Sequence, residues 1–171
     1  MRKKTRVMTL SALLAALSFV FLYFASVWPT GRFGLVAASS LFAAAAVCDA
    51  GALPGIYVYV ICSVPGLLFI PDRSAALLYI LFFGYYPAVK YLIERVKALL
   101  LQWVLKLLVF NLALTILWLL LKALVFNVGG YAPGAPVVYA GCNVVFVAFD
   151  YGYSKLIRFY SERISVFTHK R

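Results

Sequence analysis

Long apolar runs alternate with short polar breaks along the whole chain, and this alternation is the first thing the sequence offers. The runs lie at about residues 7–28, 33–48, 52–70, 74–91, 104–126 and 137–157. About 20 apolar residues carry a helix across the hydrocarbon core of a bilayer. Lipid offers the backbone no hydrogen-bond partner outside its own segment, so such runs cross as helices. The pattern predicts an all-α membrane protein: a six-transmembrane-helix bundle forming a single integral membrane domain over residues 1–171.

The breaks carry turn chemistry. Trp28 and Pro29 close the first run, and residues 29–32 form a tight turn. Asp49, Gly51, Pro54 and Gly55 mark the second break, and residues 71–74 the third, with Ser74 placed to cap the fourth helix. Residues 91–103 mix Glu94, Arg95, Lys97 and Gln102 with apolar positions, which fits either an extension of the fourth helix or a short interfacial helix. Residues 127–136, with three Gly and two Pro, form the longest irregular loop. The second run is rich in Ala and Ser, and small side chains let helices approach closely in lipid, which puts it at the centre of the bundle. Pro65 and the 82–87 aromatic group with Pro87 mark two expected kinks.

Composition changes this picture little. The chain is 65% hydrophobic and only 12% charged, whereas soluble domains are about 45–50% apolar and about 25% charged. The apolar run after the basic N-terminal tail exceeds the 7–15 residues of a signal-peptide core, so it reads as a retained helix.

Charge adds orientation. Of the 16 Lys and Arg residues, 13 fall in the N-terminal tail, in the 90–106 region or beyond residue 154, which are the breaks on one side of the six-run pattern. Basic residues resist translocation, so that side is expected to be cytoplasmic, with both termini inside a cell (plasma or inner) membrane. The net charge of +11 in a soluble protein would suggest nucleic acid. Here the cations cluster at helix ends, which suits anionic lipid head groups and argues against a nucleic-acid partner.

Catalytic constellations are scarce. One His, five acidic residues and three isolated Cys supply no metal-ligand spacing, no phosphate-binding loop and no nucleophile–base set. The expectation is no enzyme, no metal and no cofactor. What remains is polarity inside the apolar runs, where a charge costs about 2.5–3.5 kcal/mol at the helix centre. Asp150 is the foremost case. Asn143, Ser154 and Arg158 share roughly one helical face with it. The group reads either as a polar stripe lining a path, or as an ion pair between Asp150 and a cation: Arg158, Lys106 or Lys90. Asn111 and Asn143 are candidates to face each other as an interhelical amide pair or to touch a ligand. Arg32, Asp72, Arg73, Lys122 and Tyr131 fall at or beside the breaks opposite the basic ones, a mixture of charge and aromatic surface that suits a small-molecule pocket or an ordinary solvated loop.

Six short helices, both termini inside, and a basic tail leading into Thr9-Leu10-Ser11-Ala12-Leu13-Leu14-Ala15-Ala16 resemble the substrate-binding S components of energy-coupling factor (ECF) transporters. In that family an Ala-x-x-x-Ala pattern on the first helix packs against the coupling helices of a transmembrane T subunit, and Ala12 and Ala16 match it here. The resemblance implies capture of a vitamin-like small solute at the outer face, near Arg32, Asp72, Arg73, Lys122 and Tyr131. It also implies docking on a T subunit driven by two cytoplasmic ATPases. Two other classes fit the same topology: a non-catalytic membrane scaffold of a bacterial envelope assembly, and a small channel or exporter subunit whose polar path would run through Asn111, Asn143 and Asp150.

Overall fold

A computed structural model describes residues 2–28, 30–124 and 135–165. Its described residues are helical apart from short connections. The elements are α1 (Arg2–Val27), α2 (Arg32–Ala50), α3 (Ala52–Phe69), α4 (Arg73–Leu78), a π-helical turn (Tyr79–Phe83), α5 (Tyr86–Ile93), α6 (Leu99–Leu124), α7 (Ala135–Tyr160) and a second π-helical turn (Ser161–Ser165). Among the described residues, five stretches are long and apolar enough to cross a membrane: Thr5–Val27, Arg32–Ala50, Ala52–Phe69, Arg73–Ile93 and Leu99–Leu120. The sixth long helix, α7, has 26 residues. Its apolar character is diluted by Asn143, Asp150 and four tyrosines.

The connections follow from local chemistry. One residue, Gly51, separates α2 from α3. Its φ of 93° lies in the left-handed region that glycine enters without strain. Asp49 therefore belongs to α2, and Pro54 and Gly55 belong to the first turn of α3 and not to a loop. Gly55 sits so close to α2 that a methyl group there would overlap the Val47 side chain. At α4 the cap is Asp72, whose Oδ1 accepts from the Ser74 amide at 3.0 Å. Ser74, the expected cap, instead lies within the helix. The Ser74 hydroxyl, together with its amide and the nearby Arg32 guanidinium, holds the Asp72 carboxyl below the usual carboxylate range.

Helix α3 runs through Pro65 without a break. The 82–87 aromatic group does break its helix. The Gly84 amide reaches back five residues to the Tyr79 carbonyl at 2.7 Å, closing the π-helical turn before Pro87 enters the first turn of α5. Proline has no amide hydrogen and its ring clashes with the carbonyl four residues back, so α-helical pairing cannot continue across it. Residues 91–103 form neither a helical extension nor an interfacial helix. Helix α5 stops at Ile93, a turn occupies residues 94–98, and Leu99 already belongs to α6.

Two cores hold the bundle. The first joins α1, α2, α3 and α4, and half of its fourteen buried members are alanines, with Val36, Val58, Cys62 and Tyr79 among the rest. Small polar groups close its seams. Ser18 Oγ donates to the Ser39 carbonyl at 2.9 Å and lies 3.3 Å from the Tyr79 hydroxyl; Cys62 Sγ donates to the Ala15 carbonyl at 3.1 Å. The second core is aromatic. Tyr86 of α5, Phe146 and Tyr153 of α7 and Ala44 of α2 are buried together, with Phe82, Phe110 and Phe149 packed on them. Phe110 and Phe146 stack with centroids 4.4 Å apart and planes 10° from parallel.

Cross-helix pairs fix the helix directions. Arg32 at the start of α2 meets Asp72 just before α4, while Tyr160 at the end of α7 donates to Asp49 at the end of α2 at 2.9 Å. The starts of α2 and α4 therefore share one end of the bundle, and the ends of α2 and α7 share the other.

Candidate functional site

Among the described residues the buried charges converge on one place, between α5, α6 and α7. Lys90 and Asp150 are each 2% exposed and Lys106 is 5% exposed. Helical spacing assembles the set: Tyr86, Lys90 and Glu94 recur every four residues on α5 and its C-cap, Asp150 and Ser154 do so on α7, and Lys106 enters from the second turn of α6.

Asp150 is the hub. One carboxylate oxygen accepts from the Lys90 ammonium and, at 2.5 Å, from the Tyr86 hydroxyl; the other accepts from Lys106 at 2.9 Å. Lys90 also donates to Ser154 Oγ at 2.8 Å. Both ammonium groups meet one oxygen of Glu94, Lys90 at 2.8 Å and Lys106 at 2.9 Å. Two cations and two carboxylates give a formally neutral cluster, which is what burial of charge in an apolar bundle requires. Glu94 differs from the other three. Its side chain is 44% exposed and lies at the C-cap of α5, the negative end of a helix dipole. Partial burial alone would push its carboxyl up, yet Lys90 and Lys106 together hold it below the usual range.

The expected pairing of Asp150 with Arg158 is corrected by this arrangement. Arg158 lies on the exposed surface and pairs with Glu162 at 2.7 Å. Eight residues along a helix turn a side chain about 80° past its starting face and about 12 Å along the axis, which carries Arg158 out of the buried seam. Of the cations that sequence reasoning offered to Asp150, Lys90 and Lys106 are both used. Tyr86 and Glu94 were not assigned to the cluster. The signal that pointed to them was their four-residue spacing from Lys90.

The remaining candidates fall into separate groups. Asn111 and Asn143 bond reciprocally across α6 and α7, each amide nitrogen donating to the other's oxygen at 3.0 Å. Each also gives a second hydrogen to a carbonyl four residues back in its own helix, at 2.8 Å. One turn further along, the Thr115 hydroxyl lies 3.0 Å from that of Tyr139. At the starts of α2 and α4, Arg32 pairs with Asp72 at 2.7 Å and donates to Ser74 at 3.1 Å, with the exposed Arg73 beside them. Tyr131 and the Lys122 side chain lie outside the described residues. On α1, Ala12 and Ala16 both point outward, while Ser11, Leu14, Ala15 and Ser18 are buried. A groove of about 180 Å³ between α2 and α7 is lined by Leu41, Ala44, Ala45, Cys48 and Ile157 and is almost wholly apolar. Among the described residues no group of three or more His, Cys, Asp or Glu could hold a metal ion.

A buried neutral ion cluster, an amide pair and an aromatic stack thus run down the α6–α7 seam. Compared with known protein families, with curated proteins and with solved structures, the chain gives no match.

Proposed function

We propose that this chain is a multi-pass protein of a cell membrane, with both termini cytoplasmic, and that it serves as the small-solute-binding S subunit of an ECF-type uptake transporter. The observation that carries this reading is the outward-facing pair Ala12 and Ala16 on a helix whose opposite side is already packed. Two small residues one turn apart present a flat patch, and in lipid such patches are where helices cross closely. Docking there on a T subunit would leave the internal packing of the bundle untouched. The solute would enter at the end that holds Arg32, Asp72 and Arg73, opposite the basic end.

Co-expression with a T subunit and two ATPases tests the reading. The wild-type chain is expected to copurify with them, and Ala12→Leu together with Ala16→Leu is expected to abolish copurification without lowering thermal stability. Failure of the wild-type chain to copurify, or indifference of the complex to the double substitution, would remove the proposal.

A second reading, a non-catalytic envelope scaffold, draws support from the satisfaction of the α6–α7 polar groups by one another. The same satisfaction weighs against a channel. Asn111 and Asn143 occupy each other, and Asp150 is saturated by Lys90, Lys106 and Tyr86.

A further inference from the structure

The Lys90–Lys106 pair has a feature that charge balance alone does not require. Both ammonium groups converge on a single oxygen of Glu94, at 2.8 and 2.9 Å. Asp150, deep in the seam, is locked by three donors, two from α5 on one oxygen and one from α6 on the other. Glu94 is held by the two lysines at the surface of the cluster, on the turn that ends α5, with its side chain 44% exposed. It is the one member of the cluster that can leave by rotating its side chain into the surroundings. When it leaves, two lysines face one aspartate, and the vacated position carries a formal charge of +1 with two N–H donors aimed at one point.

The surroundings of that position suit a lipid interface. Arg95 and Lys97 stand exposed on the same turn, Arg95 donating to the Tyr91 hydroxyl at 2.7 Å, and exposed Leu92, Leu99 and Leu100 flank it. Trp103 lies over Lys106, its ring centroid 5.5 Å from Nζ. Cations above apolar side chains with an indole beside them match the head-group layer, where phosphates sit.

We propose that Lys90 and Lys106 form a seat for one oxygen of a monoanionic phosphodiester, which Glu94 fills in the free chain and vacates when the phosphodiester binds. The charge count selects a monoanion, since a +1 position is neutralised by one negative charge. The reading goes beyond solute uptake: the seat lies at the basic end, opposite the end assigned to the solute. A phosphodiester reaches it either as the head group of an anionic lipid or as a soluble glycerol phosphodiester.

The test uses the full chain purified in detergent, with Trp28 and Trp118 replaced by Phe so that Trp103 fluorescence reports on Lys106. Short-chain phosphatidylglycerol, phosphatidylcholine and soluble glycerophosphoglycerol are titrated separately. Glu94→Gln removes the internal competitor, and Glu162→Gln is the control, because it adds the same charge on an exposed position in the π-helical turn that follows α7. The seat predicts saturable phosphatidylglycerol binding that Glu94→Gln tightens about fivefold beyond Glu162→Gln, the scale of one partly exposed ion-pair contact. It also predicts that Lys106→Gln on the Glu94→Gln background erases the gain. Equal affinity for glycerophosphoglycerol would identify a soluble compound as the source and leave the seat standing. Equal responses of Glu94→Gln and Glu162→Gln, phosphatidylcholine binding as tight as phosphatidylglycerol, or no binding of either anionic probe would overturn it.

Discussion

The α1–α4 half and the α5–α7 half of this molecule hold together in opposite ways. In the first, alanines and serines bring the helices close and short hydroxyl–carbonyl bonds seal the contacts. In the second, aromatic rings and long charged side chains bridge the space between helices. Lipid tails are as apolar as leucine, so burying apolar surface gives helices little reason to associate there. Close van der Waals packing and satisfied polar contacts remain. The first half relies on the former and the second on the latter, so the two should respond differently to substitution.

The largest expected effect lies in the charged half. Asp150→Ala leaves Lys90 and Lys106 facing each other with only the half-exposed Glu94 between them, and breaking a buried pair costs about 3–5 kcal/mol. Thermal unfolding in detergent measures it, and a loss smaller than that of any single α1–α4 substitution would reverse the contrast between the halves. Next is Gly55→Ala, where the added methyl meets Val47 and the Ala43 carbonyl. Overpacking costs about 1–3 kcal/mol, and a neutral result would mean that close approach does not hold α2 to α3. For the amide pair, a double-mutant cycle of Asn111→Leu and Asn143→Leu should give a coupling of about 0.6 kcal/mol, the average for interhelical polar pairs in a membrane protein; zero coupling would leave the seam to its ion cluster and aromatic stack.

Acid titration gives a smaller effect. The Asp72 carboxyl is depressed in the folded chain, so its contribution is complete above the unfolded value of about 4 and is lost as pH falls through the lower folded value. Asp72→Asn should therefore flatten the decline of stability on acidification below about pH 4; an unchanged decline would show that the α2–α4 contact is not stabilised by charge. Smallest of all is Arg158→Ala, which should leave the unfolding temperature unchanged because its pair with Glu162 is exposed. A loss comparable to that of Asp150→Ala would restore Arg158 as the partner of Asp150.

The candidate site was only partly legible in the linear pattern. Asp150 stood out because a carboxylate inside an apolar run has few explanations, and Lys90 and Lys106 were among its conceivable partners. Arg158 entered the list of partners through helical spacing within α7, which is visible in one dimension. The choice of Lys90 and Lys106 depends on how α5, α6 and α7 face one another, which is not. The Asn111–Asn143 pair was easier, because two lone amides in neighbouring apolar runs have strong reason to meet. The 94–98 turn escapes the linear pattern because Glu94, Arg95 and Lys97 among apolar positions fit an extended fourth helix or a helix lying on a surface. Glu94 instead turns back onto two lysines of the bundle.

By itself the sequence determined that the chain is helical, where its long apolar helices lie and where its cations cluster. Those are local properties: a backbone in lipid must bond within its own segment, and the length of an apolar run is written residue by residue. Only the tertiary structure decided which lysines neutralise Asp150, that α3 packs on α2 through Gly55, and that Ala12 and Ala16 face outward. Each of these depends on the rotation of one helix against another, and that rotation is set by the sum of many small contacts between residues distant in the chain.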